Sequence, residues 1–269
     1  MRLFLFQERD SFLHRLNPLT KLAVTLPMWI VLSLVTDPVT PLCFIALSTL
    51  VLWLLGGVSP LRQARLLWPF WALALSTVVS FALFQQPSRP DYQVLWQLGP
   101  LRVTDEGLLV GLATALRILA LFSISMLFVM TTDPVQFIQS LIQQTGISYR
   151  FGYGVLAAYR FIPNVAAEVE QIRAAHHVRG FAPGWGPRGL WRRLRAFAIP
   201  LLAASIRRAD QVARAMDSRA FGAGERTYFR AQRFRAADAV FLGAAVLATA
   251  LIFFALNRLG LLGALNPFQ

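Results

Sequence analysis

PVTPLCFIALSTLVLWLLGGVSPL, residues 38–61, runs for 24 positions without a charge, and LLWPFWALALSTVVSFALFQQPS, residues 66–88, follows with 23 more. Wound as a helix, an apolar run of about 20 residues matches the roughly 30 Å hydrocarbon core of a bilayer. Only Arg62, Gln63, Ala64 and Arg65 separate the two runs, so they read as two crossings joined by a short basic turn. The fold is to be sought in lipid.

Three more segments extend the pattern. Gly107 to Thr132 is apolar except for Arg117, and Ala239 to Asn257 gives 19 uncharged residues. Between Lys21 and Asp37 lie 15, which reach span length only if Leu19 and Thr20 join them and the Lys21 ammonium snorkels to the interface. The expected fold is all-α, a polytopic integral membrane protein with about five transmembrane helices. Composition agrees: 56% of the 269 residues are hydrophobic, 14% are charged, and mean hydropathy is +0.54. Twenty-one Phe and seven Trp exclude low-complexity disorder, and the lone Cys43 excludes a disulfide scaffold. The N-terminus does not read as a cleavable signal, because Arg2 precedes only a short apolar patch before Glu8, Arg9 and Asp10.

Basic residues are retained on the cytoplasmic side, so their distribution sets orientation. The N-terminal arm carries Arg2, Arg9, Arg15 and Lys21, the turn at Asp37 has none, and the next loop has Arg62 and Arg65. The loop from Gln85 to Glu106 has only Arg89 and Arg102, beside Asp91, Asp105 and Glu106, whereas Asp133 to Asp238 holds 16 arginines. This predicts a cytoplasmic N-terminus, a cytoplasmic 133–237 region and an external C-terminal tail. The domains are then residues 1–132 with four spans, 133–237 as a cytoplasmic domain, and 238–269 with the fifth span.

The cytoplasmic segment has apolar periodicity that a solvated loop would lack. One seam runs Val155, Ala158, Ile162, Val165, Val169, Ile172, His176, Arg179, and a second runs Ile199, Leu202, Ile206, Ala209, Ala213, Met216, Ala220. Spacings alternating three and four predict two long amphipathic helices, whose small residues allow a close crossing. Arg207, Arg208, Asp210, Arg214 and Asp217 are placed on the opposite face of the second. A shorter amphipathic helix is expected from Pro134 to Gln144, along the membrane surface. Pro163 and Pro200 are expected to interrupt or bend the long helices. Gly180, Pro183 and Gly184 mark the end of the first.

The two long helices end in similar strings, HHVRGF at 176–181 and MDSRAFG at 216–222. With the N-terminal SFLHRLNPLTKL at 11–22, these make the chain resemble the transmembrane T component of energy-coupling-factor transporters, bacterial importers of vitamins and metal ions. In that family two cytoplasmic coupling helices each end in an Ala-Arg-Gly-like triplet, and the matching positions here are Val178-Arg179-Gly180 and Ser218-Arg219-Ala220. Val178 replaces the usual small residue and Ala220 the usual glycine. The resemblance in organisation covers nearly the whole chain. It implies a non-catalytic scaffold in the bacterial inner membrane that joins two ABC-type ATPases, identical or not, to a small substrate-binding S component. ATP and Mg would be bound by the partner ATPases, with no cofactor on this chain. It also implies that ATPase motion reaches the substrate-binding subunit through the crossing helices. Packing between them is expected at Ile199, Leu202, Ile206, Ala209, Ala213 and Met216.

An arginine at a helix end presents a planar fork of donors that can engage carboxylates or carbonyls in a partner's groove. The blander alternative is that each merely complements the negative end of the helix dipole, worth about 0.3 to 1 kcal/mol. Two matched ends on one basic domain favour docking. His176 and His177 are adjacent and point about 100° apart on a helix, which suits no metal. No GxSxG, HExxH or Walker A string occurs, and none of the five runs contains an acidic residue, so hydrolytic and proton-relay chemistry lack their usual groups. Arg117 must face a protein partner, another helix or the headgroups. Retention on the cytoplasmic side and attraction to anionic lipid account for the arginine excess. Nucleic-acid binding would use the same arginines, but aromatic platforms are sparse on these faces. A conventional ABC importer permease and a basic membrane anchor for a peripheral enzyme are the competing readings; neither needs two matched helix ends.

Overall fold

In the computed structural model the described residues are 11–85, 94–98, 101–181, 184–224, 228 and 231–261. The basic arm at Arg2 and Arg9, the loop positions Arg89 and Asp91, and the C-terminal tail from residue 262 lie outside them. The chain divides into two units, Met1–Ser140 with Gln232–Gln269, and Leu141–Ala231.

The first unit is built of apolar helices. After the short α1 (Phe12–Arg15), α2 (Pro18–Leu34) starts where the Asn17 side chain accepts the Leu19 amide and Pro18 supplies a preset φ. Then come α3 (Val39–Leu54), α4 (Pro60–Leu66) and α5 (Trp68–Phe84). The run at 66–88 forms the single helix α5, and the basic turn expected at 62–65 is itself helical, the short α4, which meets α5 at 61°. Pro69, in the first turn of α5, cannot donate back into α4, so the helix restarts there. A hairpin, β1 (Val94–Leu98) and β2 (Leu101–Thr104), pairs antiparallel and was not foreseen.

α6 (Asp105–Thr131) opens with the Thr104 hydroxyl accepting the Gly107 amide and with two acids in its first turn. It packs on α2, α3 and α5. Its approach to α5 requires glycine, because a Cβ at Gly107 would lie 2.8 Å from the Phe81 carbonyl oxygen and one at Gly111 3.1 Å from Val78. Leu32, Phe44, Ala120 and Ile124 form one core cluster, and Leu52, Val58, Leu127 and Met130 another. A buried polar network crosses this core: the Ser48 and Ser123 hydroxyls are 2.7 Å apart, and the Gln63 amide donates to Ser123 at 2.7 Å. Asp37 is buried and accepts the Thr40 amide at the start of α3.

After α7 (Pro134–Gln144) come α8 (Tyr149–Val178) and α9 (Pro187–Asp217), the body of the second unit, and then α10 (Ala236–Arg258) returns to the first. Both long helices run on through Pro163 and Pro200. Each proline is exposed, so its ring and the carbonyl it frees need no buried partner.

Among the described residues, α6 and α10 are long and apolar enough to cross a membrane, and α4 with α5 makes a third if the bent pair is one span. α2 and α3 are apolar but shorter, at 17 and 16 residues. Among the described residues the architecture is all-helical apart from one hairpin.

Candidate functional site: the paired helix ends

α8 and α9 lie antiparallel. As α8 positions descend from His176 through Glu168 to Tyr153, their α9-side partners climb from Phe197 through Arg208 to Phe221. The Arg208 guanidinium is 3.4 Å from Glu168 and lies over the Phe161 ring at 5.4 Å. Arg208 therefore faces α8, not the outer face expected for it.

The two helices terminate in the same turn. At the end of α8, Gly180 has φ +64°, its amide donates to the His177 carbonyl at 3.1 Å, and the Phe181 amide donates to the His176 carbonyl at 3.0 Å. At the end of α9, Ala220 has φ +54°, its amide donates to Asp217 at 2.9 Å, and the Phe221 amide donates to Met216 at 3.0 Å. This is the Schellman motif twice, with Arg179 and Arg219 in equivalent places immediately before the left-handed residue. Only glycine adopts that conformation freely, so Ala220 holds it at a steric cost of about 1 to 2 kcal/mol.

The residue after each left-handed position is phenylalanine, and both rings are held within the pair. Phe181 lies 4.7 Å from the His176 ring, which is itself 5.3 Å from Phe197, and His176 Nε2 donates to the Ala196 carbonyl at 3.0 Å. Phe221 meets Tyr149 and Tyr153 edge-on at 5.7 and 5.9 Å, and Arg150 reaches the Gly222 carbonyl. Each arginine thus sits on a turn anchored by its neighbour's ring. Arg179, Arg219 and Ser218 are exposed, and Val178 is 85% exposed. Among the described residues neither arginine makes a side-chain hydrogen bond or ion pair. Beside the first end, Arg173, His177 and Arg193 line a cationic hollow with Phe181 and Phe197.

The expected packing seam on α9 is placed differently. Ile199, Leu202 and Ile206 are 59%, 60% and 61% exposed, and Ala209 and Ala213 are exposed as well. The face toward α8 instead follows Phe197, Ala204 and Arg208, spaced seven and four apart. Within this unit the Ile199–Ala213 stripe is uncovered, while Met216 is half-buried beneath the terminal turn.

The sequence strings contained both phenylalanines, yet their anchoring role shows only once the turn is built. Trp185, wholly exposed in the loop between the helices, carried no periodic signal. His14 Nδ1 lies 2.6 Å from the Ser11 hydroxyl. Among the described residues no group of three or more His, Cys, Asp or Glu is arranged to hold a metal ion.

Residues 9–229 match the family CbiQ, cobalt transport protein. The energy-coupling factor transporter transmembrane protein EcfT of Thermosediminibacter oceani is 33% identical over 253 residues, covering 89% of this chain and 92% of that protein. The protein of the same name from Streptococcus thermophilus is 31% identical over 268 residues, covering 92% and 95%. That of Brevibacillus brevis is 31% identical over 227 residues, covering 80% and 82%.

Proposed function

The chain belongs to the transmembrane T-component family of energy-coupling-factor transporters, and from that premise we propose that it is the coupling subunit of an ATP-driven importer of a vitamin or metal ion. It crosses the bacterial inner membrane five times, through α2, α3, the α4–α5 pair, α6 and α10, with its N-terminus and the 133–237 region cytoplasmic. Two ABC-type ATPases bind the ends of α8 and α9 and carry the ATP and Mg. A small substrate-binding S component contacts the membrane region and the uncovered α9 stripe. The chain itself performs no catalytic step.

The observation that supports this reading most directly is the repetition of one turn at both ends of an antiparallel pair. From Arg193, level with the first end, to Arg219 an ideal helix rises roughly 35–40 Å. Two identical presentations of an unpaired arginine, that far apart, suit two related partners. Val178-Arg179-Gly180 and Ser218-Arg219-Ala220 are the docking triplets: the arginine supplies the fork, and the small left-handed residue lets the partner's surface approach. When the ATPases close on nucleotide, the two ends move with them and the pair passes that motion to the S component through Ile199, Leu202, Ile206, Ala209 and Ala213.

Copurification tests this. Two ATPases together with a small membrane protein are expected; ATPases alone would favour an importer permease, and an unrelated enzyme would favour a membrane anchor. Cysteine labelling in a background lacking Cys43 tests the orientation. Labelling at position 192 by an impermeant reagent from outside intact cells would remove both the topology and the docking.

A further inference from the structure

Lys21 is the chain's only lysine among 26 basic residues, and it is buried, 1% exposed. Its ammonium donates to the backbone carbonyl of Thr131 at 2.7 Å. Thr131 ends α6, so this oxygen is one of the four carbonyls a helix leaves without an internal partner, and a cation is favoured there. A second buried charge close by is Asp238, 4% exposed.

Asp238 uses both oxygens. Oδ1 accepts the Asn17 amide at 2.8 Å, and Oδ2 accepts the Arg235 amide at 2.8 Å. Asn17 caps α2 and Arg235 caps α10. One buried cluster therefore joins the beginning of α2, the end of α6 and the beginning of α10. The end of α6 and the beginning of α10 are the helix ends nearest to where the chain leaves the first unit toward Leu141 and returns at Gln232. A lysine suits the place better than any of the 25 arginines would, because a compact ammonium fits a closed site that a planar fork would force apart.

We propose that Lys21, whose ammonium ties α2 to the end of α6 while Asp238 ties the start of the same α2 to α10, is a positioning residue: it pins the outgoing and returning passages of the chain to one point, so that force on 141–231 reaches α2, α6 and α10 together. The force-transmission part rests on the coupling function proposed above; the pinning does not.

The test uses the full chain in its copurified complex. Because there is one lysine, an amine-acylating reagent followed by mass spectrometry of the peptide that contains residue 21 reports on it apart from the α-amino group and the partners' lysines. Lys21 is expected to acylate at least about 100-fold more slowly than a lysine placed by Arg192→Lys, since a buried amine reacts only through local opening. Equal rates would overturn the proposal without any further variant. Lys21→Met is expected to raise amide exchange about tenfold at 235–238 as well as at 131–135, and Asp238→Asn to do the same at both. Exchange confined to the segment next to the substituted group would also overturn it. In variants that still hold the ATPases, substrate taken up per ATP hydrolysed is expected to fall at least about threefold while hydrolysis continues, as a lost mechanical connection requires. An unchanged ratio would show the cluster to be merely structural and would sink the positioning role. A complex without ATPases would sink the coupling function, while labelling and exchange would still decide the pinning.

Discussion

The imidazole of His176 donates to the carbonyl of Ala196 across the helix pair, and that carbonyl is free to accept because the residue four places on is Pro200. A proline has no amide hydrogen to return to position 196. The proline inside α9 opens an acceptor that ties it to α8.

His176→Phe should therefore cost about 1 kcal/mol in the stability of the pair, the usual net worth of one hydrogen bond. In a Pro200→Ala background, where a backbone amide competes for Ala196, the same substitution should cost less than half as much. A double-mutant cycle by thermal unfolding measures the difference, and additive effects would refute the connection.

Arg179→Ala and Arg219→Ala should each weaken ATPase copurification by about 2 to 5 kcal/mol, the typical cost of leaving a partner's buried polar groups unpaired. The double variant should be worse. Arg192→Ala, with the same charge change, should be mild, and lysine should restore only part because it lacks the bidentate fork. Normal assembly and uptake in the double variant would leave the arginines with only a dipole role.

Ala209→Leu and Ala213→Leu lie on the uncovered stripe, so the helix pair itself should unfold within about 0.5 kcal/mol of the parent. Retention of the S component should fall. Ala204→Leu, on the α8 side, should instead destabilise the pair by about 1 to 3 kcal/mol through overpacking. The reverse pattern in melting experiments would exchange the two faces.

Ala220→Gly should stabilise the end of α9 by about 1 kcal/mol, because glycine adopts φ +54° without a Cβ clash. Gly180→Ala should destabilise the end of α8 by a similar amount. Exchange of the Phe221 and Phe181 amides reads each turn separately.

Ser123→Ala should cost about 1 to 3 kcal/mol, since it strands the buried Gln63 amide, while the Ser48 hydroxyl keeps its bond to the Ile45 carbonyl. Gln63→Leu in the same background should recover part of the loss by removing the stranded group.

Charge-free runs made the apolar helical architecture legible, because they depend on composition along the chain. One thing escaped that kind of reading. The rotation of α9 escaped because its apolar stripe and its α8-facing side are different faces. Arg208 and Phe197 hold α8 through a guanidinium and a histidine contact, while Ile199 and Ile206 obey the periodicity that normally marks a core. The arginine ends were visible as repeated strings, but their equivalence rests on backbone hydrogen bonds that the strings do not spell. Lys21 was read as a snorkelling residue at the edge of a span; only its acceptor on α6, 110 residues away, shows it turned inward.

α2 and α3 have 17 and 16 residues, and at 1.5 Å per residue each rises only about 25 Å, against a hydrocarbon core of roughly 30 Å. On the proposed five-span topology they would oblige the surrounding lipid to thin on their side, whereas α6, with 27 residues, would span the full thickness or tilt within it. That topology makes the protein asymmetric in its demand on the bilayer, with a compressed lipid annulus beside α2 and α3 and none beside α6. A small neighbour that rocks within the membrane displaces less hydrocarbon on the compressed flank, and acyl-chain length becomes a variable that acts on the transport cycle without touching any residue.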